Sequence, residues 1–310
     1  MKKTAVIYNP KATGMSKLDL DKVKSIFNKR IKADLFESQK AGDTPRLVQK
    51  VNDDYDWIIT MGGDGTMGEA VQALNDVTQR GFYSHIPVGT TNDTANNFGM
   101  RGYDPYTLIK MMTSSGNLRE IDMDALEVNG RAVGYVSACG AFTDITYRTP
   151  RFLKMSLGTL GYYTTLGLMF PEIIHDLIKK PLKLTYERNG KKVETEALTL
   201  LVSNSKNFAG MNLYPNTSIA DGKFEVAIVK KIPFAKLYDF ASKVSNYDEG
   251  KFSMEDYSDY VDYFQTDNFE VIVDTDKKSL NNDGDEVMMD SNRLKYDIKK
   301  KIKVMVPKVK

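Results

Sequence analysis

A glycine-rich segment at residues 61–66, Met-Gly-Gly-Asp-Gly-Thr, restricts the folds open to this chain more than any other feature. It follows the apolar run Asp56–Met61, which is typical of a parallel strand covered on both faces, and it precedes a helical pattern at Glu69–Leu74. Its glycines let the backbone approach a bulky anion and adopt positive φ where needed, and the helix start offers unpaired N–H groups. The segment predicts a corner that binds phosphate, with Asp64 holding Mg²⁺ or water and Thr66 donating a hydrogen bond. The alternative is a tight turn that binds nothing.

A second segment of the same kind lies one strand and one helix later, at residues 86–99. A predicted strand again runs into a Gly89-Thr90 turn and then into polar side chains. By itself this cluster would be read as helix N-capping. However, loops that follow neighbouring strands of an α/β sheet share one crevice, so the two Gly-Thr turns can face the same phosphate chain.

Before residue 120 the predicted strands and helices alternate. The predicted strands are Thr4–Tyr8, Lys32–Glu37, Asp56–Met61 and His85–Val88. The predicted helices are Leu20–Ile31, Thr44–Val51, Glu69–Leu74 and one that starts at Asp104-Pro105 and stops at Gly116. This alternation predicts a three-layer α/β domain with a largely parallel sheet.

After Leu118 the pattern changes to hairpins. Asn129-Gly130 and Asn189-Gly190 each lie between strand-like runs, which is the strongest short hairpin signal. Further strands are predicted at Thr195–Asn204, Phe224–Lys230, Phe269–Asp274 and Ile302–Val306. A helix-like insertion, Leu157–Lys179, interrupts them. We therefore expect the second domain to be an antiparallel β-sandwich.

Length and composition exclude several classes of protein. The chain has 310 residues, which at about 150 residues per domain favours two domains. Its formal charge of +2 argues against binding of nucleic acid through overall positive charge. One cysteine and two histidines exclude a disulfide framework and a Cys/His zinc site, so a metal would be a hard cation held by oxygen. The N-terminal apolar run is too short for a signal peptide, and glycines and a proline interrupt residues 155–171. We expect a cytoplasmic protein.

Four segments, in this order along the chain, resemble the diacylglycerol kinase catalytic-domain superfamily and specifically its bacterial lipid kinases. They are Tyr8-Asn9-Pro10 with Gly14, Gly62–Thr66 with Glu69, Pro87–Asp93 with Ala95, and Asn282-Asp283-Gly284-Asp285. A weaker fifth match runs from Tyr214-Pro215 through Ala220–Phe224. Gly-Gly-Asp-Gly-Thr also occurs in NAD kinases and phosphofructokinase-like enzymes, whereas a following Gly-Thr-x-Asn-Asp is more specific to lipid kinases.

The resemblance implies a function and a set of site residues. It implies ATP- and Mg²⁺-dependent phosphorylation of a lipid hydroxyl, most readily of diacylglycerol to phosphatidic acid. It assigns nucleotide contacts to Asn9, Gly62, Gly63, Gly65, Thr66, Thr90 and Asn92. It assigns the Mg²⁺-water network to Asp64 and Asp93, and the catalytic base to Asp285. Asp221 resembles a ligand of a structural magnesium loop, and a plain β-turn is the alternative.

The resemblance also implies a domain layout and partners. Residues 1–120 would form the ATP-binding α/β domain and 121–291 a lipid-binding β-sandwich, and such folds allow a C-terminal segment, about 292–310, to return to the first domain. The substrate would be met at the inner membrane surface. The lysine-rich tail at residues 299–304, with Lys308 and Lys310, is either a contact for anionic lipid or an edge strand protected by lysines. The stretch Leu157–Leu177 is either an acyl pocket or core, and a homodimer is left open.

Three departures from the usual family pattern keep other functions open. Asp285 replaces the usual Glu and Glu286 follows it, Gly68 replaces an Asn, and Asn96 replaces an Arg. A nucleotide-binding regulatory protein with weakened catalysis is therefore one alternative. A small-molecule kinase similar to NAD kinases is the other.

Overall fold

The computed structural model describes residues 3–40, 42–100, 102–114, 116–140, 181–208, 211–214, 216–230, 233, 236, 254–276 and 278–309. Contacts within the chain define two compact units. The first unit comprises Met1–Ala125 and Lys299–Lys310, and the second comprises Leu126–Ile298. The functions that the resemblance implies for these units remain predictions.

The elements follow the predicted change from alternation to hairpins. The first part contains β1 (Thr4–Tyr8), α1 (Leu20–Asn28), β2 (Ala33–Glu37), α2 (Asp43–Asn52), β3 (Trp57–Gly62), α3 (Asp64–Asp76), β4 (Phe82–Pro87), α4 (Asp93–Asn96) and α5 (Pro105–Met112). The strands that follow are β5 (Leu118–Val128), β6 (Arg131–Val133), β7 (Val136–Gly140), β8 (Leu182–Arg188), β9 (Lys191–Ser203), β10 (Asn207–Phe208), β11 (Met211–Asn212), β12 (Phe224–Lys230), β13 (Val261–Thr266), β14 (Asn268–Asp274), β15 (Ser279–Asn282), β16 (Asp285–Met288) and β17 (Arg293–Pro307).

The sheet of the first unit is parallel, with the strand order β2-β1-β3-β4. Val304 of β17 pairs in parallel with Tyr83 and so extends this sheet beyond β4. The last pair between β3 and β4 joins Gly62 to Pro87. Both strands therefore end at the same edge of the sheet.

Helices cover both faces of this sheet. On one face, Val6 and Ile59 share a buried cluster with Phe27 of α1 and Ile109 of α5. Because side chains alternate along a strand, Ile7 and its neighbours on the same face point the other way, where α2 and α3 contact each other and the strands. This gives the three layers that the sequence predicts.

The second unit is antiparallel. Its long strand β9 changes partner along its length, since residues 191–197 pair with β8 and residues 199–203 pair with β7. On its other edge, β9 pairs with β12. The strands of this unit enclose one core, to which Leu184 of β8, Leu200 of β9 and Leu280 of β15 belong. Strands that switch neighbours and close over a shared core are typical of a β-sandwich.

Three hairpin turns of the second unit share positive φ at both central residues, as a type I′ turn requires. The φ angles are 50° and 80° at Asn129-Gly130, 52° and 71° at Asn189-Gly190, and 56° and 96° at Asp283-Gly284. The two Asn-Gly turns join β5 to β6 and β8 to β9, as predicted. The third joins β15 to β16, two short strands that the sequence pattern did not predict.

The predicted insertion Leu157–Lys179, the acyl pocket assigned to Leu157–Leu177 and the second histidine, His175, lie outside the described residues. Among the helices that are described, none has the length and apolar character needed to cross a bilayer.

Candidate active site

The two glycine corners predicted from the sequence lie side by side at the carboxyl ends of β3 and β4. The backbone N–H of Val88 donates to the carbonyl of Gly62 at 2.8 Å, which joins the strand ends. A Cβ built on Gly89 would lie 2.4 Å from the Cα of Gly63. Real Cβ atoms do not approach backbone so closely, so the contact between the corners requires glycine at residue 89.

At the first corner, space requires glycine at Gly62 but not at Gly65, and backbone conformation requires it at neither position. None of Gly62, Gly63 and Gly65 has a positive φ, so this corner does not use the left-handed conformations that glycine allows. At Gly62 a Cβ would lie 2.3 Å from Oγ1 of Thr66, so this glycine makes room for the threonine. At Gly65 a Cβ would meet no atom within 4 Å. Gly65 therefore borders open space.

Helix α3 begins at Asp64, five residues before the predicted start at Glu69. The prediction was wrong because Gly65 and Gly68 are poor helix formers and hide the helical pattern of the first turn. Gly63 is the N-cap, and its carbonyl accepts the first helical hydrogen bond, from Met67, at 3.1 Å. The motif therefore forms the first turn of the helix, where the N–H groups have no partner within the helix.

The carboxylate of Asp64 bridges the two corners. Its Oδ2 accepts a hydrogen bond from the Thr91 hydroxyl at 3.0 Å, and its Oδ1 accepts one from the backbone N–H of Thr94 at 3.1 Å. Burial raises the pKa of Asp64, and the hydrogen bonds from residues 91–94 oppose that rise. The Thr94 hydroxyl oxygen is buried and has no hydrogen-bond partner among the described residues.

The second corner is shaped by Asn92. This residue has φ 54° and ψ 44°, a left-handed conformation that Asn tolerates better than most side chains. Its side chain accepts from the N–H of Gly89 at 2.9 Å and donates to the carbonyl of the same residue at 3.1 Å. Asp93 follows, fully buried, as the first residue of α4.

The loop after β1 completes the group of loops at this edge. The Asn9 side chain donates to Oγ1 of Thr66 at 3.4 Å, and the hydroxyls of Thr13 and Thr90 lie 3.1 Å apart. Gly14 donates its N–H to the Val88 carbonyl at 2.7 Å. The structure thus brings together every predicted nucleotide and magnesium residue of the first unit. Sequence reasoning missed Thr13, Thr91 and Thr94, although all three are hydroxyl residues within or beside the matched motifs.

A buried polar cluster supports the first corner from the sheet. The Thr60 hydroxyl lies 2.7 Å from the hydroxyl of Tyr83 and 2.8 Å from Nδ1 of His85. Burial lowers the pKa of His85 to about 3, so the ring is neutral at physiological pH. This histidine is part of the structural core of the sheet.

The predicted base, Asp285, is the first residue of β16 in the second unit and is exposed. It pairs with Asn282 across the hairpin, and Glu286 pairs with Asn281. Since successive residues of a strand point to opposite faces, Asp285 and Glu286 face opposite sides of this hairpin. Only one of them can therefore serve a given site.

Asp221 lies in a turn of the second unit. It is exposed, its Oδ1 accepts a hydrogen bond from the backbone N–H of Lys223 at 3.1 Å, and Gly222 has φ 76°. Among the described residues, no group of three or more His, Cys, Asp or Glu side chains is arranged to hold a metal. These contacts favour the β-turn alternative, and the role of Asp221 as a ligand stays a prediction.

Several lysines of the C-terminal tail have protein partners. Lys301 lies 3.3 Å from the buried carboxylate of Asp124, and Lys308 donates to the carbonyl of Gly116 at 3.2 Å. Lys300 donates to the Asn75 carbonyl. These protein contacts argue against a lipid contact for this segment. Because β17 pairs with β4, β5 and β14, the predicted lysine-protected edge strand is wrong as well.

Comparison with known proteins places these features in a family. The sequence profile of the diacylglycerol kinase catalytic domain matches residues 3–126. The chain is 31% identical over 248 residues to a diacylglycerol kinase of Bacillus subtilis (strain 168), which covers 78% of each protein. It is 28% identical over 242 residues to a diacylglycerol kinase of Staphylococcus carnosus (strain TM300), covering 76% of this chain and 75% of that protein.

Structural comparison gives the same fold. A crystal structure of a diacylglycerol kinase from Bacillus anthracis (strain Sterne) matches 99% of this chain and 97% of its own with a TM-score of 0.68 at 19% identity. The predicted fold class, an α/β domain and an antiparallel β-sandwich, is confirmed. Together with the likeness in sequence, which extends over 78% of the chain, this shows that the chain belongs to the bacterial diacylglycerol kinase-like family.

Proposed function

We propose that this chain transfers a phosphoryl group from ATP, in the presence of Mg²⁺, to the hydroxyl of diacylglycerol, giving phosphatidic acid. One observation carries the proposal: the two glycine corners meet at one edge of the sheet and share the Asp64 carboxylate through Thr91 and Thr94. In phosphoryl transfer the protein has little covalent chemistry to perform. It positions the two substrates and stabilises the charge on the phosphate oxygens.

The start of α3 suits the phosphate chain of the nucleotide. Its N–H groups and partial positive charge attract anions, and the space beside Gly65 is open. The unpartnered hydroxyl oxygen of Thr94 is also the kind of buried polar atom that a ligand or a water satisfies. Asn9, Thr66, Thr90 and Asn92 surround this space in the proposal.

The residues present also fit Mg²⁺. This ion usually keeps several waters and is held by one or two carboxylates together with substrate phosphates, so a site without three acidic side chains is suitable. Asp64 and Asp93 would hold it, and the hydrogen bonds that Asp64 accepts from residues 91–94 favour a contact of Asp64 through water. When bound, the ion neutralises phosphate charge.

Asp285 is the proposed base. An alcohol is a poor nucleophile until its proton begins to leave, and a carboxylate within hydrogen-bond reach of that proton typically contributes about 10²–10⁴-fold in rate. The exposure of Asp285 leaves its carboxylate accessible to a substrate. We further propose that the chain acts in the cytoplasm, at the inner membrane surface where a lipid substrate is found.

A transfer assay tests the proposal. ATP labelled at the γ-phosphate is incubated with the protein and with detergent-dispersed diacylglycerol, sphingosine, undecaprenol or NAD, with Mg²⁺ or with a chelator. Labelled phosphatidic acid that requires Mg²⁺ supports the proposal. Label on NAD alone would instead favour a small-molecule kinase, and nucleotide binding without any labelled product would favour a regulatory protein.

A further inference from the structure

The turn between β15 and β16 is attached to a neighbouring segment through the carboxylate of Asp283. Its Oδ2 accepts a hydrogen bond from the backbone N–H of Gly134 at 2.6 Å. Its Oδ1 accepts two more, from the backbone N–H groups of Tyr135 at 2.8 Å and Val136 at 3.2 Å. In return, the N–H of Asp283 donates to the Val136 carbonyl at 3.0 Å. Because hydrogen bonds to a charged group are shorter and roughly twice as strong as neutral ones, this contact fixes the turn.

The segment that supplies these donors is itself held in place. The carbonyl of Tyr135 accepts hydrogen bonds from the Ser203 hydroxyl and from the backbone N–H of Asn204, both at 2.9 Å. Ser203 and Asn204 are buried. The carboxylate of Asp283 is therefore anchored to backbone that the core of the second unit already fixes.

The conformation of the turn does not by itself call for an acid. The two sister turns have nearly the same φ angles and carry Asn129 and Asn189 at the position of Asp283. Asn suits this left-handed position well. An amide, however, has one acceptor oxygen and one NH₂ group. It therefore cannot accept hydrogen bonds at both terminal atoms of the side chain, as a carboxylate does. The three N–H donors therefore account for an aspartate at residue 283.

Asp285 follows this turn directly, so the position of its carboxylate depends on the turn. The intervening Gly284 is also fixed, since its N–H donates to Oδ1 of Asn281 at 2.9 Å. We propose that Asp283 is a positioning residue, whose carboxylate holds the hairpin so that Asp285 stands in the correct place for proton transfer. This inference rests on the proposed function, in which Asp285 is the base. A misplacement of about 1 Å costs about 10²-fold in rate.

The test is a double-mutant cycle with an independent structural measurement. Asp283→Asn, Asp285→Asn and the double variant are compared with the full-length protein in the labelled-ATP assay with diacylglycerol. Asp290→Asn is the matched control, because it removes an exposed carboxylate shortly after β16 whose partner, Arg131, lies 3.5 Å away. Amide hydrogen exchange is followed in peptides that cover residues 133–137 and 281–288. Asp283→Glu, which keeps the charge, serves as a second variant.

We expect Asp283→Asn to lower kcat by about 10- to 100-fold with the KM for ATP unchanged, and to speed exchange in both peptides. In the Asp285→Asn background, the same change should alter kcat by less than about twofold, because a positioning residue has no effect once the group it positions is gone. Asp283→Glu should retain more activity than Asp283→Asn, and Asp290→Asn should behave as the wild type.

Two results would overturn the inference: an equal loss of kcat in both backgrounds, or unchanged exchange in Asp283→Asn. A wild-type protein that labels no lipid would remove the proposed function, and the positioning role with it. That failure is distinguishable, because the exchange measurement would still report the contact between Asp283 and residues 134–136.

Discussion

Gly65→Ala separates the needs of the fold from the needs of a ligand. Gly65 is the second residue of α3, its φ is not positive, and a Cβ there meets no atom within 4 Å. Alanine in a helix is more favourable than glycine by roughly 0.5–1 kcal/mol. We therefore expect the free protein to gain about that much free energy of unfolding, which corresponds to a rise in Tm of roughly 1–2 °C for a chain of this length.

The same methyl group should weaken nucleotide binding, because it fills the space proposed for a phosphate. A tenfold rise in the Kd for Mg·ATP corresponds to about 1.4 kcal/mol. At a nucleotide concentration about 100 times the wild-type Kd, binding stabilises the wild type by about 2.7 kcal/mol and such a variant by only about 1.4 kcal/mol. Calorimetric titration gives the Kd, and thermal unfolding with and without Mg·ATP gives the stabilisation.

A Gly65→Ala protein that is more stable and binds Mg·ATP with the wild-type Kd would refute this reasoning, since the open space would then hold no phosphate. Gly89→Ala is the comparison. Its Cβ would lie 2.4 Å from the Cα of Gly63, so backbone must move and the fold itself should lose about 1–3 kcal/mol or more. Loss of stability in Gly89→Ala with a gain in Gly65→Ala would show that the two glycines have different tasks.

Three further predictions concern single residues. Asp285→Asn should lower turnover by about 10²–10⁴-fold without abolishing ATP binding, whereas Glu286→Gln should leave it near wild type; the reverse result would move the base to Glu286. Asn92→Ala should have a free energy of unfolding about 1 kcal/mol lower than that of Asn92→Gly, because alanine bears the left-handed strain that glycine avoids. Urea unfolding measures this difference, and equal midpoints would contradict it. The buried neutral ring of His85 has its pKa lowered to about 3, so its contribution to stability is complete above about pH 6.5 and is lost as the pH falls toward 3. Relative to His85→Asn, the wild type should lose about 1.4 kcal/mol per pH unit in urea unfolding between pH 6 and 4, and parallel pH profiles would count against it.

The parts of the fold that follow local patterns were predictable from the sequence. The strand Thr4–Tyr8 matched residue for residue, and the hairpins at Asn129-Gly130 and Asn189-Gly190 formed as the Asn-Gly signal indicates. The short strands β15 and β16 were not predictable, because four residues carry too little periodicity. The early start of α3 was missed because its glycines resemble a loop until the sheet contacts are known.

In the candidate site, the motifs predicted which loops meet, and the structure supplied the reason for individual residues. Glycine at residue 89 is required by the approach of Gly63, a contact between segments that no local pattern reveals. The same holds for Asp283, whose hydrogen-bond donors lie nearly 150 positions earlier in the chain, at separations of 147 to 149. Long-range contacts of this kind can only be read from a folded chain.

The pairing of Val304 with Tyr83 has a consequence for biosynthesis. The Ser84 hydroxyl donates to the Met305 carbonyl at 2.5 Å, and the side-chain amide of Gln79 exchanges two hydrogen bonds with the backbone of Lys303, each at 2.9 Å. While a ribosome makes the intervening residues, at about 5–20 per second, the outer edge of β4 has none of these partners. For tens of seconds at the slower rates, the nascent chain thus presents an open strand edge to chaperones and to other newly made chains.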